Sequence, residues 1–295
     1  MNTSTNSENK NLIAWVLLLT LAFVWGTSFL LVKKAVTVFS PIQVGGLRMV
    51  FGAIALLPWA ISGYKKIEKT TFKYLAFCGL TGYLAPAFFF AIAGSKINSS
   101  LSGTLNSVTP IFVLIVGVLF FGTQAKREQV FGLTLGFIGS LILVFAKSKG
   151  DIGGINPYVF LVLASTILYG FNTNVAGKHL TNTPSTASGA FMLLFAGIVS
   201  SVVLIFTDFN TPLNNPEIKT ALIEVVILGA INSGLMAILF NYLLKLKSPI
   251  FAASVTYIIP IIATAMGLVD GENISIFHYL GMAITLIGVY LINKK

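Results

Sequence analysis

The sequence has few charged residues, few acidic ones in particular, and almost no cysteine or histidine. Only 9% of its 295 residues are charged, nine are Asp or Glu, two are His and one is Cys. Because Cys78 has no second cysteine to pair with, an intrachain disulfide is excluded. Soluble globular domains average about 25% charged residues, so this chain has too little charge to cover the surface of a soluble protein.

Motifs for catalysis and nucleotide binding are also missing. The sequence contains no HExxH pattern, no GxxxxGK[ST] phosphate loop and no pair of aspartates within an apolar run. Its two histidines, His179 and His278, lie at the edges of apolar runs, and no TVGYG-like filter segment occurs. We therefore expect neither an enzyme, nor an ATP-driven pump, nor a selective channel, and we expect no cofactor and no metal site.

Apolar residues make up 56% of the chain, and they form ten runs of about the 20 residues that a membrane-spanning helix needs. The 19 Lys and Arg residues are scattered between these runs, so the net charge of +10 indicates membrane loops rather than a nucleic-acid surface. We interpret the first run as a span and not as a signal peptide, because it is long and no cleavage site follows it. The predicted spans are residues 12–32, 41–62, 72–94, 98–121, 128–146, 156–178, 186–207, 218–242, 248–268 and 276–292.

Basic residues are divided unevenly between the two predicted faces. If the N-terminus is cytoplasmic, twelve Lys and Arg residues fall on the inner side and six on the outer side, and Arg48 lies within a span. Inner loops of membrane proteins carry the excess of Lys and Arg. We therefore expect a multi-pass protein of the bacterial inner membrane with both termini in the cytoplasm.

Several residues recur at a nearly constant spacing, which indicates a duplicated unit. Phe90 and Pro110 recur 150 residues later as Phe240 and Pro260. Each unit holds five spans, and because five is odd the second unit enters the membrane from the opposite face, as in many secondary transporters. The predicted fold is an all-α polytopic membrane protein with ten transmembrane helices in two inverted five-helix repeats. Its parts are a cytoplasmic tail (1–11), the first repeat (12–147), a linker loop (148–155) and the second repeat (156–295).

Two segments at matching places interrupt the apolar pattern. Residues 102–118 and 252–268 each place small and polar residues before a proline, Pro110 and Pro260. Proline removes a helical hydrogen bond, and lipid tolerates this only where protein or a water-filled cavity satisfies the freed carbonyl. We expect helix kinks at both prolines and a central cavity between the fourth and ninth helices. A pair of simple packing kinks is the alternative.

Four segments follow one another in a characteristic order along the chain. They read FVWGTSFLLVKKAV (23–36), PIQVGGLRMVFGAIALLP (41–58), NSVTPIFVLIVGVLFFG (106–122) and VTYIIPIIATAMGLVDGE (255–272). In this order they resemble the EamA-type ten-helix exporters of the drug/metabolite transporter superfamily, over nearly the whole chain. The resemblance implies an inner-membrane transporter that exports amino acids, other small metabolites or drugs. The second repeat departs from the pattern, because it begins with Tyr169 in place of tryptophan.

Arg48 is the one arginine within a predicted span. A charge at membrane depth is costly and needs a reason to stay there. We expect it either to bind a substrate carboxylate or to reach the interface and cap neighbouring carbonyls. The second helix of the second repeat lacks an arginine, so only one half would carry this role.

Amide and aromatic side chains complete the predicted site. Buried amides must find hydrogen-bond partners, and an aromatic wall with a few polar groups suits a modest amphipathic solute. The alternative for each is an interhelical hydrogen bond or core packing. The predicted substrate-binding residues are Trp25, Arg48, Tyr83, Asn106, Tyr169, Asn172, Asn232 and Tyr257.

Two further features bear on coupling and assembly. Glu224 is the one acidic residue in the eighth span and is the candidate for carrying a proton, although it could also lie among headgroups near Lys219. The GxxxG pattern at Gly132 and Gly136 predicts close helix packing. We expect a monomer, with a homodimer as the alternative.

These observations predict a secondary transporter that moves a small metabolite, an amino acid or a drug-like solute, outward by alternating access. Its partners would be that solute and the lipid bilayer, and not a nucleic acid. A carrier of nucleotide sugars or phosphate esters is the alternative function, but the spans offer few cations besides Arg48. An intramembrane enzyme is a more remote alternative.

Overall fold

The computed structural model describes residues 2–97, 99–148, 156–269 and 276–293, and within these ranges the chain is helical with no strand. The predicted linker lies outside the described residues from position 149 onward. Two π-helical segments, Leu80–Leu84 and Leu228–Leu235, continue neighbouring α-helices. The α-helices are α1 (Asn2–Ala35), α2 (Pro41–Gly63), α3 (Phe72–Gly79), α4 (Ala85–Gly94), α5 (Ser99–Asn106), α6 (Thr109–Phe121), α7 (Arg127–Ser148), α8 (Val159–His179), α9 (Ser185–Ile205), α10 (Asn210–Leu213), α11 (Ile218–Ile227), α12 (Met236–Leu246), α13 (Pro249–Ala253), α14 (Val255–Val269) and α15 (Ile276–Asn293).

Six helical stretches in the described part of the chain are long and apolar enough to cross a membrane. They confirm a polytopic membrane protein, while the count of ten spans stays a prediction. The six are Asn9–Ala35, Pro41–Lys66, Lys69–Gly94, Val159–His179, Ser185–Ile205 and Ile218–Leu246, and shorter apolar helices are Thr109–Phe121, Pro249–Ile262 and Tyr279–Ile292.

Large apolar side chains cover the outer surface of the helices. Phe206 is 84% exposed and Ile205 is 77% exposed, next to each other where α9 ends. Water would penalise so much exposed apolar area, whereas lipid does not. The exposure pattern therefore agrees with a protein that is surrounded by hydrocarbon.

The helix starts follow from local sequence. Ser40 caps α2 in a capping box with Gln43, and Pro41 occupies the first turn, where its missing N–H is not needed. At α13, the Ser248 side chain accepts a hydrogen bond from the Phe251 N–H, and Pro249 occupies the first turn. Serine caps and first-turn prolines therefore set where both helices begin.

The predicted helix-kink residues lie in different settings. Pro110 lies in the first turn of α6, after a break at Ser107 and Val108, so the chain bends between α5 and α6 and not within a helix. Pro260 lies inside α14, and both prolines are buried. The Ser107 hydroxyl donates hydrogen bonds to the carbonyls of Gly103 and Thr256, each at 3.2 Å. This serine therefore joins the α5–α6 break to α14.

The predicted GxxxG face packs inside the chain, between α7 and α15. A Cβ atom on Gly288 would lie 2.4 Å from the backbone nitrogen of Gly136, and one on Gly132 would lie 2.8 Å from the Gly288 carbonyl oxygen. Only glycine permits two helices to approach this closely. The glycines of α7 therefore pack against α15 and, at Gly136, against Tyr257 of the same chain.

Candidate functional site

A cavity lies at the centre of the helices, with about 1070 Å³ of atom-free space including the part open to solvent. The described residues that line it come from α1, α2, α4, α5, α6, α8, α12, α13, α14 and both π-helical segments. The tightly packed pair α7 and α15 contributes none of these residues.

The structure brings together seven of the eight predicted substrate-binding residues. Tyr257 lies elsewhere, because its ring packs against Gly136 and its hydroxyl donates a 2.9 Å hydrogen bond to the Leu133 carbonyl. It is fully buried and joins α14 to α7. The residues that line the cavity are Trp25, Arg48, Tyr83, Asn106, Tyr169, Asn172 and Asn232.

Arg48 on α2 is held by the second π-helical segment. Its Nε donates a 2.7 Å hydrogen bond to the hydroxyl of Ser233. The two elements touch almost backbone to backbone, since a Cβ atom on Gly229 would lie 2.7 Å from the Arg48 carbonyl oxygen and 3.0 Å from the Gly52 nitrogen. The glycine contact therefore fixes the position of α2 beside the π-helical segment, and Ser233 fixes the orientation of the guanidinium.

Trp25 and Asn232 join α1 to the same π-helical segment through reciprocal hydrogen bonds. The indole Nε1 donates to the Asn232 carbonyl at 2.9 Å, and the Asn232 amide donates to the Val24 carbonyl at 2.6 Å. The Trp25 ring lies 5.5 Å from that of Phe240. Asn232 thus makes the interhelical hydrogen bond that was its alternative role, and it also lines the cavity.

Two polar atoms of the cavity wall are buried and have no hydrogen-bond partner in the part of the chain that the structure describes. They are the amide oxygen of Asn172 and the hydroxyl of Ser102. Gly82 makes room for the amide, since a Cβ atom there would lie 2.5 Å from the Asn172 Cγ. Most buried polar atoms in proteins are paired, so these two are unusual groups of the cavity wall.

Aromatic rings form much of the remaining wall. Phe90 lies between Phe29 and Tyr169, with ring centroids 6.0 Å and 6.3 Å apart. Such contacts suit edge-to-face and offset-stacked packing. The cavity therefore combines an apolar aromatic wall with a few hydrogen-bonding groups.

Residues at matching offsets line the cavity from both halves of the chain. The offset is 144 residues in the first predicted span of each repeat and 150 residues in the third and fourth, and 150 residues also separate Pro110 from Pro260. The pairs are Trp25 and Tyr169, Ser28 and Asn172, Phe29 and Thr173, Gly82 and Asn232, Tyr83 and Ser233, Phe90 and Phe240, Asn106 and Thr256, and Thr109 and Ile259.

The cavity reaches the exposed C-terminal end of α1, and a group of side-chain contacts lies toward the opposite end of that helix. Exposed Lys33 lines the open rim. At the opposite end, which we call the basic end, the rings of Tyr74 and His179 stack with centroids 4.1 Å apart, and the Lys178 ammonium lies 5.5 Å from the Phe121 ring centroid. Further contacts there run from Lys245 to the Thr183 carbonyl and from Lys247 to Asn11.

Comparison with known proteins gives the family. The model of the EamA-like transporter family matches the chain over residues 12–145 and again over residues 156–294. The chain belongs to the EamA-like transporter family. It is therefore a membrane transporter, and transporters are not enzymes.

Named relatives of this EamA-like transporter span nearly its whole length. An uncharacterized inner membrane transporter of Escherichia coli, YedA, is 25% identical over 93% of this chain and 89% of its own. The protein PagO of Salmonella typhimurium is 25% identical over 94% and 91% of the two chains. An uncharacterized transporter of Archaeoglobus fulgidus is 22% identical over 95% and 99%.

A solved crystal structure shares the fold of this EamA-like transporter. The two chains superpose with a TM-score of 0.73 at 17% sequence identity, over 96% of each chain. At this identity the likeness extends to the fold alone.

Glu224, the candidate proton carrier, lies on α11 of the EamA-like transporter and is 9% exposed. It is not among the described residues that line the cavity. The described residues contain no cluster of three or more His, Cys, Asp or Glu side chains that could hold a metal ion.

Sequence reasoning missed several cavity residues of this EamA-like transporter. Phe90 and Phe240 recur in the sequence without being marked as site residues, and Ser233 directly follows the predicted residue Asn232. The repeat itself is a signal for Ser233, because this residue recurs 150 residues after the predicted cavity residue Tyr83.

Proposed function

We propose that this EamA-like transporter moves a small amphipathic solute, an amino acid or a drug-like molecule, out of the cell by alternating access through the central cavity. The observation that carries the proposal is the set of matched residues that line one cavity from both halves. Secondary transporters bind their substrate near the midplane between repeats. Export is proposed from the resemblance to EamA-type exporters.

The proposal includes ten spans in two inverted five-helix repeats. The family model matches the chain twice, which supports a duplicated unit. The third predicted span of each repeat contains a π-helical segment. When Leu80–Leu84 is shifted by 150 residues, it overlaps Leu228–Leu235. Packing also repeats, because α1 contacts α14 while α8 contacts α6. Two units related in this way would rock against each other around a shared site.

In the proposed site, Arg48 binds an anionic group of the solute. A guanidinium binds a carboxylate through charge-assisted, often bidentate hydrogen bonds. Asn172 and Asn106 would orient the polar part of the solute, and the rings of Trp25 and Tyr169 would contact its apolar part. Pro110 and Pro260 would serve the site indirectly, by shaping the helices that carry Asn106 and Thr256.

The orientation follows from charge. Lys178, Lys245 and Lys247 lie at the basic end, and under the positive-inside rule such an end would be cytoplasmic. Both termini would then be cytoplasmic, and the open rim at Lys33 would face outward. The structure would represent an outward-open state, and transport would require the contacts of the basic end to separate.

Proton coupling is proposed through Glu224, the acidic residue buried in α11. A carboxylate with little solvent exposure can exchange a proton between the two states of a carrier. Facilitated diffusion is the competing mode, since Glu224 lies outside the cavity. The nucleotide-sugar alternative is less well supported, because the described cavity residues include two cations, Arg48 and Lys33, for a substrate with several negative charges.

The proposal is tested by reconstitution in proteoliposomes. Flux of a panel of labelled amino acids and cationic drugs is measured with and without a pH gradient. We expect protein-dependent flux of at least one solute and its loss on Arg48→Ala or Asn106→Ala. If no panel member moves, or if both variants transport normally, the proposed site is wrong.

A further inference from the structure

The cavity carries positive charge that the described protein does not balance. Arg48 and Lys33 line it, and no Asp or Glu is found among the lining residues that the structure describes. Within the described ranges the Arg48 guanidinium has no carboxylate partner, and its one hydrogen bond to a side chain goes to neutral Ser233. Arg48 is partly exposed, so water that enters the open cavity can hydrate its charge.

Closing the empty cavity would remove that environment. When the two halves rock, the site passes through a state in which it is closed to both sides and holds less water. A guanidinium that loses water without gaining an opposite charge is penalised strongly. The empty carrier should therefore cross this state slowly.

A bound carboxylate removes the cost of an unpaired charge in the closed state. It neutralises Arg48 by charge-assisted hydrogen bonds, so the loaded site enters the closed state without an unpaired charge. Lys33 differs from Arg48, because it lies exposed at the rim and can stay hydrated in either state. The asymmetry between loaded and empty carriers thus depends on Arg48 alone.

From this asymmetry we infer that the protein works preferentially as an exchanger of solutes that carry a carboxylate on an apolar or aromatic body. Each outward passage of one such solute would be followed by the return of another, because the loaded carrier reorients faster than the empty one. This inference rests on the proposed function and names the substrate class and mode of transport of the same site. A solute without a carboxylate would leave the charge of Arg48 unpaired and would not exchange.

The experiment measures efflux from proteoliposomes preloaded with labelled L-phenylalanine, whose ring suits the aromatic wall. The outer buffer contains no solute, unlabelled L-phenylalanine, or L-phenylalaninol, which keeps the ring and the ammonium group but lacks the carboxylate. We expect external L-phenylalanine to accelerate efflux about tenfold, equivalent to a barrier difference of about 1.4 kcal/mol, and L-phenylalaninol to have no such effect. This comparison needs only the unaltered protein.

Two variants test whether the acceleration of efflux depends on Arg48. Arg48→Gln removes the charge, so efflux into empty buffer and into L-phenylalanine should differ by less than twofold. Lys34→Gln removes a charge from the neighbouring exposed end of α1, outside the cavity, and should keep the full acceleration. A structural role of Arg48 would lower both rates and leave their ratio unchanged, which would contradict the inference.

The outcomes separate this inference from the proposed function. Protein-dependent efflux that external L-phenylalanine does not accelerate overturns exchange and leaves the transporter proposal standing. Equal acceleration by L-phenylalaninol overturns the role of the carboxylate. Flux of cationic panel members without any flux of L-phenylalanine overturns the substrate class. Absence of flux for every solute overturns the proposed function and the inference together.

Discussion

The Nε of Arg48 donates a 2.7 Å hydrogen bond to the hydroxyl of Ser233, which lies 185 residues later in the chain. The bond connects the second helix of the first half with the π-helical segment of the second half. The bond uses Nε, and Arg48 lines the cavity, where a solute can bind its terminal nitrogens.

Replacing Ser233 by alanine should weaken solute binding without unfolding the protein. The guanidinium would lose the group that fixes its orientation, and a hydrogen bond to a charged group contributes about 1.5–3 kcal/mol, part of which water in the cavity replaces. We expect KM to rise about tenfold in flux assays. Ser201→Ala is the matched control, since that hydroxyl bonds to the Gly197 carbonyl of its own helix. Equal KM values for both variants would argue against a positioning role of Ser233.

Asn172 and Asn174 should respond oppositely to the same substitution. The Asn172 amide oxygen is buried without a described partner, and such an atom costs about 1–3 kcal/mol. Asn172→Leu should therefore leave the melting temperature unchanged or raise it, while it lowers flux. The measurements are thermal unfolding in detergent and flux in proteoliposomes.

Asn174→Leu serves as the control on the same helix. Its amide donates 2.9 Å hydrogen bonds to the carbonyls of Val113 and Gly170, so this variant should melt at a lower temperature. A drop in melting temperature for Asn172→Leu of the same size would show that the Asn172 amide is structurally engaged.

Gly229→Ala should destabilise the protein and disturb the site. The added methyl would lie 2.6 Å from the Phe51 Cβ and 2.7 Å from the Arg48 carbonyl oxygen, and overpacking of this kind costs about 1–3 kcal/mol. We expect a melting temperature lower by several degrees. Gly234→Ala, whose methyl would meet its nearest neighbour at 3.4 Å, should melt like the unaltered protein. If both variants melt alike, the close approach of α2 and the π-helical segment is wrong.

Tyr257→Phe should reduce stability and leave solute affinity unchanged. The variant loses the hydrogen bond to the Leu133 carbonyl, a contribution of about 0.5–1.5 kcal/mol, and Tyr257 lies outside the cavity. Melting temperature and KM are measured together, with Tyr169→Phe as the comparison inside the cavity. An altered KM for Tyr257→Phe at an unchanged melting temperature would show that Tyr257 contributes to solute binding.

Glu224→Gln tests proton coupling. If Glu224 carries the proton, its amide variant should abolish the stimulation of flux by a pH gradient while flux without a gradient persists. Glu217→Gln is the matched control, because Glu217 is exposed just before the same helix. Stimulation that survives in Glu224→Gln would assign coupling to another group or favour facilitated diffusion.

The helices were predictable because hydrocarbon thickness fixes the length of an apolar run, and charged residues mark where each run ends. Several site residues were predictable for a related reason. Polar amides such as Asn106 and Asn172 are costly in lipid, so they had to face protein or a cavity.

Details of helix rotation were not predictable. Successive residues of an α-helix point about 100° apart, so Thr256 lines the cavity while neighbouring Tyr257 points toward α7. The two π-helical segments leave no mark in apolar periodicity that sequence reasoning could use. Gly82 and Ser233 lie in these segments and line the cavity.

The close glycine contact between α7 and α15 makes this pair of helices a reference for measuring motion. These two helices meet backbone to backbone and take no part in the described cavity wall. Fluorophores attached to this pair would keep a constant separation through the transport cycle. Displacements of α1 and α8 could then be measured relative to this fixed pair.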